Sequence, residues 1–132
     1  MNDRFKFRVW NKEQNRFHHS FCCDITASGT LVISQGIEGK KYIVDDDNYV
    51  VQQCTGLKDK NGKLIYEGDI IRDEHSEAVA IIEWLSYAYS LMAHIRGMDD
   101  YLPLEDICYA LEVATPFEII GNIYENKELL ND

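Results

Sequence analysis

The chain has 132 residues, 13 basic and 23 acidic, for a formal charge of −10, with 45% hydrophobic residues. That length suits one domain with a real core and leaves no room for two independent ones of ordinary size. The five Phe, eight Tyr and two Trp argue against disorder, and the acidic excess disfavours generic nucleic-acid binding because it repels the phosphate backbone.

No apolar run reaches the roughly 18 residues of a membrane span; the longest, AVAII at 78–82, stops at Glu83. The N-terminus, MNDRFKFRVW, lacks the basic-then-apolar pattern of a secretory signal, so a cytoplasmic location and no membrane partner are expected. The cysteines agree with that setting. Cys22 and Cys23 are adjacent, Cys54 and Cys108 stand alone, and no disulfide framework or C-x-x-C pair emerges.

The first element, RFKFRVW, alternates strictly and predicts a strand with Phe5, Phe7 and Val9 on one face and Arg4, Lys6, Arg8 and Trp10 on the other. NKEQN (11–15) reads as a turn and RFHHSFC (16–22) as the returning strand of an N-terminal hairpin. Beyond the turn at ASG (27–29), LVIS and KYIV predict short strands, and the acidic DDDN (45–48) predicts a solvated loop before YVV (49–51).

TGLKDKNGKLIYEGD (55–69) has the density of glycine and charge of a ligand loop, but fails the spacings that ligand loops need. Counted from Asp59, the third, fifth and sixth positions of a calcium loop fall on Asn61, Lys63 and Leu64, two of which are wrong. A phosphate loop is missed by one residue and ends in Leu64 in place of Ser or Thr. Turn chemistry remains: Asn61-Gly62 forms a two-residue type I′ turn, or Gly62 supplies the left-handed position of a bulged hairpin. If a partner docks at this tip, the exposed Lys58, Asp59, Lys60 and Lys63 are the residues expected to meet it.

DIIR, AVAIIEW and YSLMAHI predict a meander of two or three antiparallel strands over 69–95, a pattern of small barrels and sandwiches. Leu104, Ile107, Cys108 and Leu111 share one helical face and predict a short helix from about Leu104 to about Val113. At TPFEIIGNIYEN, Thr115, Pro116 and Glu118 imitate a helix start, yet Ile119, Ile120 and Ile123 favour a strand interrupted at Gly121, and the strand is preferred. Asn126 is expected to cap one last helical turn over Lys127, Glu128, Leu129 and Leu130.

Candidate chemistry is thin. His18, His19, Cys22 and Cys23 form a concentration of ligating types, but neighbours on a strand point to opposite faces, so the two histidines do not share an ion. Glu67, Asp69 and Asp73 offer the start of a carboxylate site, with Gly68 set to spoil its register. No catalytic residue, metal site or cofactor is assigned.

KFRVWNKEQNRF near the start, TGLKDKNGKLIYEGDIIR in the middle and EIIGNIYENKELL at the end together resemble the YopX family of phage and prophage proteins. The resemblance spans nearly the whole chain; residues 18–48 and 96–115 carry little of it, and Lys127 stands where the family often has Pro. It implies a mainly β fold with an SH3-like barrel in the region of the middle segment; joined to the residue reading above, the expectation is one mainly β (α+β) domain, a small SH3-like β-barrel core over 51–132 with an N-terminal hairpin or arm over 1–50 and short C-terminal helical segments. It also implies a phage or prophage origin, self-association and no established activity; an unknown phage or host protein is the expected partner. The resulting expectation is a non-enzymatic, oligomeric binding or accessory protein. Two other classes stand beside it: an acidic DNA mimic, from the −10 charge, and a metal-dependent hydrolase using Glu67, Asp69 and Asp73.

Overall fold

The computed structural model describes residues 3–19, 22–35, 38–44, 47–99, 101–104 and 117–130. They are mainly β and divide into two compact units, residues 7–52 and residues 1–6 with 53–132, each with its own apolar core.

In the unit of residues 7–52, β1 (Phe7–Asn11) pairs antiparallel with β2 (Arg16–Phe17), Trp10 opposite Phe17 and Asn11 opposite Arg16. The expected hairpin is therefore present, though shorter than its sequence pattern at both ends. Asp3–Phe5 forms a 3-10 turn, stapled by an ion pair between Lys6 and Asp3 at 3.1 Å, and Phe5 is 64% exposed instead of facing a core. Both faces of β1 are covered. Val9 joins the core, while Trp10 meets the edge of the Phe17 ring at 4.9 Å and the Arg8 guanidinium lies 4.6 Å over that same ring. Arg8 Nε also donates to the buried Gln52 side chain at 2.8 Å and so closes the polar side of the strand.

The hairpin loop is fixed by asparagines. Buried Asn11 accepts from the Gln14 amide at 3.0 Å and from the Asn48 carboxamide at 3.1 Å, and Asn48 in turn accepts from the Glu13 amide at 2.8 Å. A three-stranded sheet, β3-β4-β5, completes this unit with β3 (Cys23–Ile25), β4 (Leu31–Gln35) and β5 (Lys40–Val44), all antiparallel. Its core face carries Cys23, Leu31 and Ile33, packed with Val9.

β6 (Tyr49–Lys58) begins in this unit and runs on into the second, where it pairs with β7 (Leu64–Tyr66). The second unit is built on a five-stranded sheet of order β11-β10-β9-β8-β12, curled into a half-barrel. Its strands are β8 (Asp69–Asp73), β9 (Val79–Leu85), β10 (Ser90–Ile95), β11 (Tyr101–Pro103) and β12 (Phe117–Asn122). The meander read from β-branched residues at 69–95 is this sheet's middle. Ile65, Ile71, Ala80, Ile82 and Ala93 form its buried core, with Leu57, Leu91, Phe117 and Ile119 packed against them.

The preference for a strand over a helix at Phe117 holds, and the register slips between Ile119 and Gly121, where the glycine was expected to interrupt it. The helix predicted from Leu104 to Val113, like the helical signal at Thr115 and Pro116, falls on residues 105–116, outside the described residues. The last turn is 3-10, over Lys127–Leu130, and Asn126 opens it differently from a side-chain cap. Its Oδ1 accepts from the Asn122 amide at 3.1 Å while its own amide donates back to Asn122 O at 2.8 Å. Arg96 donates to Leu129 O at 2.9 Å and holds the turn from outside.

Gly121 is the seat of that turn: a Cβ there would lie 2.7 Å from Asn126 Oδ1 and 2.8 Å from Leu129 Cδ1. The Leu129 tip can swing, but the Asn126 carboxamide moves only by releasing Asn122. Gly121→Ala is therefore expected to destabilise by about 1–3 kcal/mol, as overpacking does, measured by urea unfolding. A midpoint unchanged from the parent would mean that the turn is not seated on Gly121.

Candidate functional site

The hairpin at 55–69 is held by side chains acting on backbone. Between the pairs Cys54 to Tyr66 and Lys58 to Leu64 the register of β6 against β7 shifts, and Gly56 takes φ 83° inside that bulge. Thr55 fills the gap, its hydroxyl donating to Ile65 O at 2.8 Å and accepting from the Leu57 amide at 3.0 Å. At the tip only Gly62 has positive φ, 81°, and its amide donates to Asp59 O at 3.0 Å, so the bulged form is adopted and the type I′ alternative is not.

Asp59 is not an exposed tip residue; it is 4% exposed. Its Oδ1 accepts from the Asn61 and Lys63 amides, each at 2.9 Å, and its Oδ2 from the Ile119 amide at 3.1 Å. Three amides converge on one carboxylate, which ties the tip to β12. Lys58, Lys60 and Lys63 are exposed as expected. Lys60 lies 3.7 Å from Glu118, which Arg72 also approaches at 3.4 Å.

The carboxylates weighed as the start of a site each serve a nearby amide. Glu67 accepts from Gln53 at 3.3 Å, the buried Asp69 from Tyr66 at 2.7 Å and Asp73 from His75 at 2.9 Å, which holds the Asp73 carboxyl below its ordinary pKa. Among the described residues no three ligating side chains meet. Cys23 and Cys54 are buried, and burial first of all pushes both thiols up, away from the thiolate a nucleophile needs. His18 receives the Asn11 carboxamide on Nε2 at 3.3 Å and lies against Tyr49, and burial, then Arg16 and His19, lower its pKa. Cys108 lies outside the described residues.

Two surfaces that sequence patterns did not single out each gather several large exposed apolar groups. The first is the β9-β10 hairpin, where Trp84, Tyr87 and Tyr89 project to solvent and Tyr89, 83% exposed, sits at φ 52°. At its base His94 stacks on Tyr101 at 4.5 Å, its Nδ1 lies 3.6 Å from Glu83 and its Nε2 is 2.9 Å from Met98 O. Desolvation, and then the Glu83 charge, raise the Tyr101 hydroxyl pKa. The signal was available in WLSYAYSLMA, ten residues without a charge between Glu83 and His94.

The second surface is the free edge of the three-stranded sheet. β5 has residues 40–43 all exposed, including Tyr42 and Ile43. An open depression of about 500 Å³ adjoins it, lined by Leu31, Ile43, Val44, Asp47, Tyr49 and Val51 among others.

Comparison with known proteins agrees with this architecture. Residues 6–131 match the model of a family described as YopX protein. The crystal structure of protein EF1440 from Enterococcus faecalis is similar at 26% identity and a TM-score of 0.60, over 96% of this chain and 97% of that one. That of protein yopX from Bacillus subtilis is similar at 21% identity and a TM-score of 0.61, over 99% and 100%, a likeness of fold alone. No curated protein matches.

Proposed function

This chain belongs to the YopX family, and from that premise we propose that it is a non-enzymatic binding or accessory protein of phage or prophage origin, self-associating and acting in the host cytoplasm. One observation supports recognition over turnover. Glu67, Asp69 and Asp73 are committed to backbone amides and Cys23 and Cys54 are buried, while Trp84, Tyr87 and Tyr89 are left to solvent on one hairpin. Trp and Tyr dominate the energetics of protein interfaces, and an uncharged hairpin loses little solvation when covered. In this reading the half-barrel is the SH3-like part of the core over 51–132, residues 1–50 act as its arm, and Lys58, Lys60 and Lys63 form a second, weaker contact whose loop Asp59 holds in shape.

Affinity capture from host cells tests it with two baits, the parent chain and the triple variant Trp84→Ala, Tyr87→Ala, Tyr89→Ala. A protein retained by the parent and reduced at least tenfold on the variant is the expected result. Equal retention by both baits would remove the aromatic hairpin from the interface. Because all three rings are exposed, the variant is expected to melt with the parent.

A further inference from the structure

One face of the β9-β10-β11 part of the half-barrel joins aromatic rings to carboxylates with hardly a cation near them. The register sets Glu83 opposite Met92, Met92 opposite Pro103 and His94 opposite Tyr101, so these five side chains share the outer face. Ile82, Ala93, Leu102 and, at the end of the sheet, Trp84 turn to the other. Tyr87, 76% exposed, stands at the hairpin end of this sheet, and Asp99 is exposed in the turn between β10 and β11.

The charge on this face is one-sided. Neither Glu83 nor Asp99 has an ion pair with Lys or Arg among the described residues. The Glu83 side chain is 36% exposed; His94 Nδ1 lies 3.6 Å from it, too far for a good hydrogen bond, and His94 Nε2 is spent on Met98 O. After desolvation, the groups that raise the Tyr101 hydroxyl pKa are Glu83, Tyr87 and Asp99, none of them a cation. Both carboxylates and both rings are thus within electrostatic reach of one another. From Asp73 to Asn126 the sequence has no Lys and a single Arg, Arg96, whose guanidinium donates to Leu129 O. An anionic partner such as a nucleic acid meets only repulsion here, whereas a cation meets carboxylates that no neighbouring Lys or Arg neutralises.

We propose that this face docks a basic segment of a partner protein, an arginine of which lies against the Tyr87 and Tyr101 rings with its guanidinium on the Glu83 and Asp99 carboxylates. This deepens the recognition reading above and rests on it, adding the charge of the partner. Arginine suits both halves of the face, because its planar guanidinium stacks on a ring and bonds a carboxylate at the same time. His94, stacked on Tyr101 at 4.5 Å, fixes the orientation of that ring. The net charge of −10 draws a basic partner in from a distance, and the rings decide where it stops.

Calorimetric titration of the full chain with a hexa-arginine peptide tests the face at ~150 mM salt, where a screening length of about 8 Å mutes distant carboxylates. Four proteins are compared: the parent, Glu83→Gln with Asp99→Asn, Tyr87→Ala, and Glu13→Gln with Glu125→Gln, which removes the same charge at exposed positions elsewhere. The parent is expected to bind, the Glu83 and Asp99 variant to lose at least tenfold, and the Glu13 and Glu125 variant less than twofold. Tyr87→Ala is expected to lose about threefold with no change in charge, the size of an exposed cation–π contact. All the substituted side chains are exposed or partly so, and melting with the parent marks each loss as one of binding. Equal losses in the two charge variants would reduce the binding to net charge and overturn the site, as would a parent that does not bind. Full affinity in Tyr87→Ala would overturn the stacked arginine. In each of these cases a tenfold loss in the capture experiment would still uphold the hairpin as an interface, so the two readings fail separately.

Discussion

Asp59→Ala is expected to cost about 3 kcal/mol, a large share of the 5–15 kcal/mol by which domains are usually stable. The magnitude follows from the amides it leaves behind. Asn61, Lys63 and Ile119 all donate to this carboxylate, and a buried amide deprived of its acceptor costs about 1–3 kcal/mol, more where the acceptor carries charge. Water can reach the Asn61 and Lys63 amides at the exposed tip, so their loss is partly made good; Ile119, on β12, is less accessible. Asp59→Asn is expected to fall about halfway, since its remaining oxygen serves only one side of the hub. Urea unfolding measures both, with Lys58→Ala and Lys63→Ala as exposed controls within about 0.5 kcal/mol of the parent. A cost under about 1 kcal/mol for Asp59→Ala would mean that the three amides find other acceptors, and that Asp59 does not bind the tip to β12.

Asp59 also shows where a sequence stops being legible. Beside Lys58, Lys60 and Asn61 it has the look of a solvated turn residue, and two of its three partners are local and inferable from turn chemistry. The third is Ile119, sixty positions away, and that contact converts a turn aspartate into a buried one. The bulged hairpin itself was readable because Gly62 must supply the positive φ, and the meander at 69–95 because alternating Val and Ile have few other ways to bury themselves. β3 was missed because three residues, Cys23, Asp24 and Ile25, are too few to show a period. The β9-β10 turn lacks Gly, Asn and Pro, so nothing marked Tyr89 as the residue that takes the left-handed conformation. Polarity misled at Arg8 and Asn11, whose charge or amide is spent on Gln52, Phe17 and the hairpin loop and not on water. The exposure of β5 follows the same rule, because which strands end a sheet is a long-range property.

Ile82→Ala should be the most damaging apolar truncation on β9 and a standard against which the edge residues can be judged. Ile82 is fully buried at the middle of the half-barrel, opposite Ala93, with Ile65, Ile71 and Ala80 around it. Two of those four neighbours are alanines, which have no side chain long enough to lean into the space left by three removed carbons. The cavity therefore stays open, and the cost is expected near 4 kcal/mol, in the upper half of the roughly 2–5 kcal/mol range for such changes. The strand's own hydrogen bonding survives, since the Gly68 amide donates to the Ile82 carbonyl at 2.7 Å whatever the side chain. Ile43→Ala removes the same three carbons from a residue that is 75% exposed, and it should change stability by no more than about 0.5 kcal/mol. Calorimetry separates the two positions. Ile82→Ala is expected to lower the melting temperature by many degrees, whereas Ile43→Ala is expected to leave it close to the parent's. A loss at Ile43 as large as that at Ile82 would assign it to packing within its own sheet, and a small loss at Ile82 would mean that the half-barrel closes around the missing carbons despite its two alanines.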